Sequence, residues 1–414
     1  MMNTKKLMMV MAASLLYAVN PSAIAAAAAS NQAELFLISD PHLDVTLRKT
    51  TNINPPADLR NELDQRSYQT LISKMGEQVD LRLTAKPSVV ILGDLPAHNG
   101  YSRKTSRDDI NAVFEPLYER LNPASIFYVF GNNDSLQRNY GPFSYRDESA
   151  YTLMQAVTGN GGGFLSTGRK CPYNGEACVS IENTKYGFYS AYLGDHLKLV
   201  SLNSVSFVSR PGFSPSRDGA KEQMKWLESQ LKSSRAKHNS VVLAMHVPPQ
   251  SWEPEYQDSF KKIIKAYPEV VIGMMAAHSH FDEIRAMTIG NKSYVIPIVY
   301  SAGLGVDHGN ASSFKTLSFS RQSASSPWRL KDYVTYHFIG KTASSSQLLP
   351  YYDFNQAFCG KSSGETVSEC LKKHINNNKF DSSTSTLMSK HYTAGNPNNN
   401  KRIDPSSKWI MVVK

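Results

Sequence analysis

The sequence lacks the features that mark several large classes of protein. After the N-terminus, no apolar segment approaches the roughly 20 residues that a membrane-spanning helix needs. The net charge of +10 is not gathered into a dense Lys/Arg block with interleaved aromatic residues, so nucleic-acid binding is not indicated. The glycine-rich stretch at 159–163 and the tripeptide at 360–362 each miss a glycine that a nucleotide-binding loop requires. The hydrophobic share of 41% and the charged share of 19% are those of a globular protein.

The N-terminus has the pattern of a cleaved export signal. Lys5 and Lys6 precede an apolar stretch at 7–19, which is too short to span a membrane, and an alanine run at 25–29 follows. We therefore expect residues 1–29 to be a signal peptide and the mature chain to begin near residues 26–31. The exported protein is expected in the periplasm or outside the cell, as a monomer without a transmembrane segment but with peripheral membrane contact left open.

The four cysteines form two close pairs along the chain. Cys171 and Cys178 lie near each other around a proline and a glycine, and Cys359 lies near Cys370. In an exported chain, two local disulfide bonds are the economical interpretation, although four cysteines allow three pairings. Neither pair has the CxxC spacing that a structural zinc site favours.

Apolar runs and helical patterns alternate from residue 35 to about residue 275. This alternation predicts a layered α/β domain, and further strands at 294–300, 315–319 and 333–338 indicate a second sheet. From about residue 342 the sequence becomes rich in serine and asparagine. We expect one domain over residues 30–341 and a small, mostly helical subdomain over residues 342–414.

The predicted strands share one property, which is that a potential metal ligand follows each of them. The strands are predicted at 35–38, 89–92, 126–130, 241–245 and 271–275. Ligand sites of open α/β sheets gather at the carboxyl ends of the strands, and mixed histidine, carboxylate and amide donors suit a pair of divalent metal ions. The sequence therefore predicts a two-metal site, with these candidate ligands: Asp40, His42, Asp94, Asn132, His246, His278 and His280.

The order and spacing of these residues resemble the calcineurin-like metallophosphoesterases, and within them the acid sphingomyelinase-like phosphodiesterases. Three stretches carry the closer resemblance: 93–99 (GDLPAHN), 201–203 (SLN) and 278–283 (HSHFDE). The resemblance covers roughly residues 34–340. It implies a β-sandwich flanked by helices and hydrolysis of phosphoester or phosphoanhydride bonds by a metal-activated hydroxide.

The resemblance also assigns roles to single residues. It implies one metal ion bound by Asp40, His42 and His280, and a second bound by Asn132, His246 and His278, with Asp94 bridging the two. Zinc is the expected metal, with manganese or iron as alternatives. Three further acids, Asp44, Asp282 and Glu283, would orient the histidines.

Two positions depart from the family pattern. Ala277 replaces the usual glycine before the HSH stretch, which is a small change, and the second departure is chemical. The family has a histidine that helps to protonate the leaving group, and this sequence has Asn133 there, whose amide donates hydrogen bonds but no proton. Either the task of general acid passes to His98 or the enzyme prefers substrates whose leaving group needs less help, such as phosphoanhydrides and aryl esters. Asn133 can still donate a hydrogen bond to a phosphate oxygen. His98 and Asn133 are thus the two candidate catalytic residues.

Several substrates stay open at this point. A nucleotide, a CDP-alcohol or a phospholipid head group would each fit a phosphodiesterase, and aromatic residues in the loops after the strands are candidates to stack a base or a choline group. These are Tyr101, Tyr140, Phe143, Trp252 and Tyr256. The alternatives are a phosphomonoesterase, a cyclic-nucleotide phosphodiesterase, and a secreted binding protein with a degenerate site.

Overall fold

The fold is built from twenty short strands and seven helices in the described part of a computed structural model. That part comprises residues 31–413 except 57–60, 83–87, 100, 122–124, 146–147, 159–178, 211–216, 361–363 and 406–408. In chain order the strands are β1 (Gln32–Ile38), β2 (Leu43–Asp44), β3 (Leu63–Asp64), β4 (Ser88–Ile91), β5 (Ser125–Tyr128), β6 (Ser144–Tyr145), β7 (Glu148–Ser149), β8 (Val179–Asn183), β9 (Phe188–Gly194), β10 (Leu197–Leu202), β11 (Ser240–Met245), β12 (Val271–Ala276), β13 (Ile284–Ile289), β14 (Tyr294–Tyr300), β15 (Ser313–Ser320), β16 (Arg329–Ile339), β17 (Gln347–Asp353), β18 (Ile375–Asn376), β19 (Lys379–Phe380) and β20 (Ile410–Val413). The helices are α1 (Gln65–Arg82), α2 (Arg103–Pro116), α3 (Ala150–Thr158), α4 (Arg217–Ala236), α5 (Pro254–Ala266), α6 (Val367–His374) and α7 (Ser382–His391).

Two large sheets form the body of the domain. The six-stranded sheet has the order β17-β16-β15-β1-β4-β5, and the eight-stranded sheet has the order β20-β13-β14-β12-β11-β10-β9-β8. In the first sheet β1, β4 and β5 are parallel neighbours, and β15 runs antiparallel to β1. In the second sheet β10, β11, β12 and β14 are parallel neighbours. The carboxyl ends of each parallel set therefore meet at one edge of its sheet.

The burial of β11 shows how the layers are stacked. Because side chains alternate along a strand, Val242 and Ala244 join the core that contains the residues of β1 and β4, while Val241, Leu243 and Met245 join the core that contains α4 and α5. Every residue of β4, β5, β10 and β11 is buried, as expected for parallel strands that are covered on both faces. The predicted layered α/β architecture of sheets flanked by helices is confirmed. None of the helices in the described ranges is both long and apolar enough to span a bilayer.

The segment after residue 342 differs from the prediction of a small, mostly helical subdomain. It contains α6 and α7, but β17 pairs with β16 and β20 pairs with β13, so this segment contributes an edge strand to each large sheet. The sequence of β17 gives no alternating apolar pattern, because its residues are all exposed or half-buried. The segment is therefore part of both sheets.

One of the two expected disulfide bonds lies in the described residues. Cys359 and Cys370 are bonded, as predicted, whereas Cys171 and Cys178 lie outside the described residues. The bond closes a loop with a sequence separation of 11 between the short helical turn after β17 and helix α6.

Removing this bond is expected to destabilise the fold. Closing a loop of this length restricts the unfolded chain by about 3 kcal/mol, so Cys359→Ser should lower the urea midpoint of unfolding correspondingly. The double variant Cys359→Ser/Cys370→Ser is the control, because it leaves no unpaired thiol at this site, and it should unfold at the same midpoint as Cys359→Ser. Equal midpoints for the oxidised wild type and Cys359→Ser would contradict the expected stabilisation.

Candidate metal centre

The seven predicted ligands lie just beyond the carboxyl ends of five strands. Asp40 and His42 follow β1, Asp94 follows β4 and Asn132 follows β5 in one sheet, whereas His246 follows β11, and His278 and His280 follow β12 in the other. The short distances between these side chains show that the two sheet edges face each other. The fold therefore brings all seven predicted ligands together.

The backbone at the ligands is unusual. Five of the seven ligands have positive φ angles, of 45° at Asp40, 41° at His42, 52° at Asp94, 71° at His278 and 62° at His280. Residues with a Cβ atom rarely adopt this left-handed region, and when they do they cluster at functional sites held in place by the surrounding structure. The sharp turns after the strands direct these side chains towards one another.

The first ligand cluster contains Asp40, His42 and His280. Their ligand atoms lie within 4.8 Å of one another. The two Nε2 atoms of His42 and His280 are 3.2 Å apart, and His280 Nε2 lies 3.5 Å from Asp40 Oδ1. The His42 Nδ1–H donates to the carbonyl oxygen of Pro96 at 3.1 Å, so its Nε2 presents a lone pair to the cluster.

The second cluster contains Asp94, His246 and His278, with Asn132 beside it. The ligand atoms of the first three residues again lie within 4.8 Å of one another. His246 Nε2 is 3.2 Å from Asn132 Oδ1 and 3.3 Å from Asp94 Oδ2. The His246 Nδ1–H donates to the carbonyl oxygen of Leu92 at 2.6 Å, which orients Nε2 towards these oxygens.

Asp94 connects the two clusters. Its Oδ2 atom lies 3.3 Å from His246 Nε2 and 3.7 Å from His42 Nε2, so a single carboxylate oxygen faces one histidine of each cluster. This is the position expected of a carboxylate shared by two metal ions that lie about 3.5–4 Å apart.

The donor set fits divalent cations. Within the described part of the chain, both carboxylate oxygens of Asp40 are buried without a hydrogen-bond partner, which is costly for a polar group unless a cation binds them. Burial lowers the pKa of His42 and His278 to about 3, so both rings are neutral and keep lone pairs for a metal ion.

The pKa values of the two aspartates of the centre are shifted in opposite directions. Burial raises the pKa of Asp40 to about 7, and the Asp94 carboxylate adds to this rise while His246 opposes it. Burial also disfavours the charge on Asp94, but the charge and hydrogen bond of His246, together with the N–H of Asn133, hold the pKa of Asp94 well below its usual range. Asp94 is therefore the carboxylate that stays ionised at the junction of the clusters.

Asn133 contacts Asp94. Its backbone N–H donates to Asp94 Oδ1 at 2.7 Å, and its side-chain Nδ2 donates to Asp94 Oδ2 at 2.8 Å. Asp134 orients the same loop by accepting hydrogen bonds from the backbone N–H groups of Asp94 at 2.9 Å and Leu95 at 3.1 Å. The Asn133 side chain is thus placed to orient the shared carboxylate, whereas the sequence predicts a contact with a phosphate oxygen.

Replacing Asn133 with alanine is expected to weaken metal binding. The variant keeps the backbone donor but removes the side-chain donor to Asp94 Oδ2, and the loss of such an outer partner typically costs about 10–100-fold in metal affinity. Competition with a chelator measures the affinity. The control is Asn183→Ala. Asn183 ends the edge strand β8, and its side-chain Nδ2 donates to Glu222 at 2.9 Å in an exposed contact. Equal affinities of Asn133→Ala and wild type would show that the amide contact is dispensable.

His98 lies beside the first cluster. Its ring stacks on the ring of His42, with centroids 4.2 Å apart, and 24% of its side chain is exposed. Its Nδ1 is 2.9 Å from Glu62 Oε1 and 3.8 Å from Asp307 Oδ2. This is the geometry of a histidine that is oriented by a carboxylate and presents its other nitrogen to solvent or substrate.

Glu62 is expected to set the pH range in which His98 is a proton donor. Burial disfavours protonation of His98, but the hydrogen bond and charge of Glu62, with the charge of Asp307, raise its pKa above the ordinary value. Glu62→Gln removes a negative charge and lowers the pKa of His98, so the protonated ring is lost at lower pH. The alkaline limb of kcat/KM for an alkyl phosphodiester should therefore move to lower pH. An unmoved limb would mean that another group controls it.

Several groups at the centre have no sequence signal of their own. Glu62, Asp307 and His308 lie in loops away from the ligand motifs, yet His308 sits edge-on to His280 with ring centroids 4.5 Å apart. Arg210 is also outside the motifs, and its Nη2 donates to the Tyr140 hydroxyl at 3.2 Å. These residues are identified by their short distances to the site residues in the folded structure.

The three acids predicted to orient the metal-binding histidines bond to other groups. The side chain of Asp44 accepts hydrogen bonds from the backbone and hydroxyl of Thr46, and Asp282 forms a buried ion pair with Lys315 at 2.7 Å. Glu283 is paired with Arg285. These contacts join the three acids to groups other than the metal-binding histidines, and Glu283 also bonds Ser279 between two of the ligands, so the orienting role stays a prediction.

The loop aromatic residues divide into two groups. Trp252 and Tyr256 are buried and pack against Phe207 in the core beside α4 and α5, so they are unavailable to a ligand. Tyr140 instead reaches the centre, where its hydroxyl lies 3.1 Å from His278 Nε2. Of the five loop aromatics, Tyr140 therefore has the contact that places it at the site.

The sequence is similar to curated phosphodiesterases. It is 25% identical over 229 residues to a sphingomyelin phosphodiesterase of Bos taurus, a match that covers 54% of this chain and 34% of that relative. It is 23% identical over 275 residues to a cyclic GMP-AMP phosphodiesterase of Homo sapiens, covering 61% of this chain and 55% of that relative. The matches thus span less than two thirds of the length of either relative. No family model matches the sequence.

Among solved structures, the chain is similar to a dimetal phosphatase from Danio rerio. The two share 14% sequence identity with a TM-score of 0.46, and the match covers 77% of this chain and 99% of the other. The sequence relatives and the paired His/Asp clusters make the chain similar to the calcineurin-like metallophosphoesterases and, among them, to the sphingomyelinase-like enzymes.

Proposed function

We propose that this protein is a phosphodiesterase that depends on two divalent metal ions. The observation that carries the proposal is the pair of ligand clusters joined by one oxygen of Asp94. Bound there, two divalent ions would polarise a phosphoryl oxygen and make a water molecule nucleophilic near neutral pH. Both curated relatives are named as phosphodiesterases, which supports the same reaction type here.

The chain's own residues supply the rest of the chemistry. The mixed shells of histidine, carboxylate and amide would hold the ions, and Asn133 would keep Asp94 in its shared position. His98, oriented by Glu62, would donate a proton to the leaving oxygen. The partly exposed side chain of His98 supports this role, because a proton donor must reach the substrate.

Two finer features belong to the same proposal. Zinc is the ion that best suits these histidine-rich shells, while manganese and iron share the same ligand types. Export is supported by the charged, apolar and small-residue pattern of residues 1–29.

A substrate panel combined with metal analysis tests the function. The full chain, after expression and metal analysis, is assayed with bis-p-nitrophenyl phosphate, p-nitrophenyl phosphate, cyclic AMP, CDP-choline and sphingomyelin. We expect two ions per chain and the fastest turnover on a diester. Turnover of the monoester or of cyclic AMP alone would indicate the corresponding alternative enzyme, and two bound ions with no turnover would indicate a binding protein.

A further inference from the structure

Arg210 is held at the edge of the metal centre by one aromatic side chain. Its guanidinium carbon lies 4.6 Å from the centroid of the Tyr140 ring, and its Nη2 donates to the Tyr140 hydroxyl at 3.2 Å. That hydroxyl is 3.1 Å from Nε2 of the metal ligand His278. A single phenol ring therefore separates the arginine from the metal centre.

Arg210 has no acidic partner in the described ranges of the chain. No carboxylate oxygen of those residues lies within 4.0 Å of its guanidinium, and the side chain is exposed. Toward the described residues, most of its N–H donors are therefore unpaired, and a guanidinium presents them in a planar fork that matches phosphate or carboxylate oxygens. Tyr140 is only 5% exposed, so the ring on which the guanidinium of Arg210 lies is held in a buried position.

The same arrangement disfavours a choline group at this edge. Quaternary ammonium groups are recognised by the faces of aromatic rings, but one face of Tyr140 already carries the guanidinium of Arg210. Trp252 and Tyr256, two of the other aromatic candidates, are buried in the core beside α4 and α5. A cation entering beside His278 would meet a fixed positive charge, whereas an anion would meet free donors.

We propose that Arg210, held on the ring of Tyr140, binds a second anionic group of the substrate beside the phosphate that is hydrolysed. This inference rests on the proposed function. The matching substrate class is a phosphoanhydride-linked ester, in which a further phosphate neighbours the scissile phosphorus. Arg210 is then a specificity determinant, and the metal ligands act on any phosphodiester that reaches them.

Inhibition by a non-hydrolysable diphosphate tests this inference in the full chain. Arg210→Gln, Arg210→Lys and wild type are compared for the inhibition constant of α,β-methylene-ADP and for kcat/KM with bis-p-nitrophenyl phosphate, which has no second anionic group. We expect Arg210→Gln to raise the inhibition constant about 10–100-fold, the usual size of a lost charge-assisted contact. The loss on the aryl diester should be at least tenfold smaller, and Arg210→Lys should recover part of the inhibition.

Arg235→Gln is the matched control. Arg235 also lies over a tyrosine, with its guanidinium carbon 4.4 Å from the ring centroid of Tyr267, but it pairs with Glu269 on the outer surface. Its substitution should leave both measurements unchanged. An equal loss on the inhibitor and the aryl diester would show that Arg210 only supports Tyr140 and His278, and would overturn the inference. Failure of wild type to hydrolyse any phosphodiester would instead overturn the proposed function.

Discussion

Replacing Asp94 with asparagine is expected to reduce kcat/KM for bis-p-nitrophenyl phosphate by about 10³-fold or more. Asp94 Oδ2 faces His246 at 3.3 Å and His42 at 3.7 Å, so it is the anionic group placed to be shared by both ions. A neutral amide of the same shape removes that charge, and the several kcal/mol that bound metal ions contribute to phosphoryl transfer correspond to at least this factor. Metal analysis should show a loss of at least one ion per chain.

A surface aspartate provides the control for this substitution. Asp258 lies on α5 with 77% of its side chain exposed, and Asp258→Asn should retain both ions and full activity. Circular dichroism of Asp94→Asn separates loss of metal from loss of fold. Two tightly bound ions together with wild-type turnover in Asp94→Asn would contradict the shared role of this carboxylate.

Replacing His98 with alanine is expected to cost about 10²–10⁴-fold in kcat on an alkyl phosphodiester and much less on an aryl one. An alkoxide is a poor leaving group and needs a proton as the bond breaks, whereas a nitrophenolate leaves without help. Asn133 cannot deliver a proton and is bonded to Asp94, so the role of proton donor is assigned to His98. The ratio of the two losses, measured by steady-state kinetics, is the diagnostic quantity.

His374 offers a closely matched control. It also bonds a carboxylate, with its Nδ1 2.8 Å from Asp381 Oδ2, and 25% of its side chain is exposed, against 24% for His98. It lies on α6, outside the metal clusters, so His374→Ala should leave both activities near wild type. Equal losses on the alkyl and aryl substrates in His98→Ala would mean that the histidine supports His42 by stacking and does not donate a proton.

The metal ligands could be predicted because they follow the clearest pattern in the sequence. Parallel strands covered on both faces are continuous apolar runs, and the first polar residue after each run must sit at a sheet edge. Asp94 after β4 and His246 after β11 are examples, and the structure brings them within 3.3 Å. The strands from β14 to β16 were predictable from the same kind of apolar run.

The supporting residues could not be predicted for a physical reason. Glu62 and Asp307 are far apart in the sequence. Both approach His98 because the loops around β3 and after β14 fold over the same sheet edge. The candidate role of Arg210 likewise follows from its contact with Tyr140, which no sequence pattern indicates. The edge strands β17 and β20 were missed because an edge strand that is partly exposed, or only four residues long, gives little periodic signal.

The position of β1 determines when the metal centre can form. This strand pairs on one side with β4 and on the other with β15, so a chain that ends before Ser313 lacks one of its two neighbours. Pairing across such a distance in sequence is slow and comes late in folding. A growing chain thus carries Asp40 and His42 long before it can hold them in place. We therefore expect the ions that occupy the site to come from the compartment in which folding is completed, where the metal supply would select among the ions that the ligands accept.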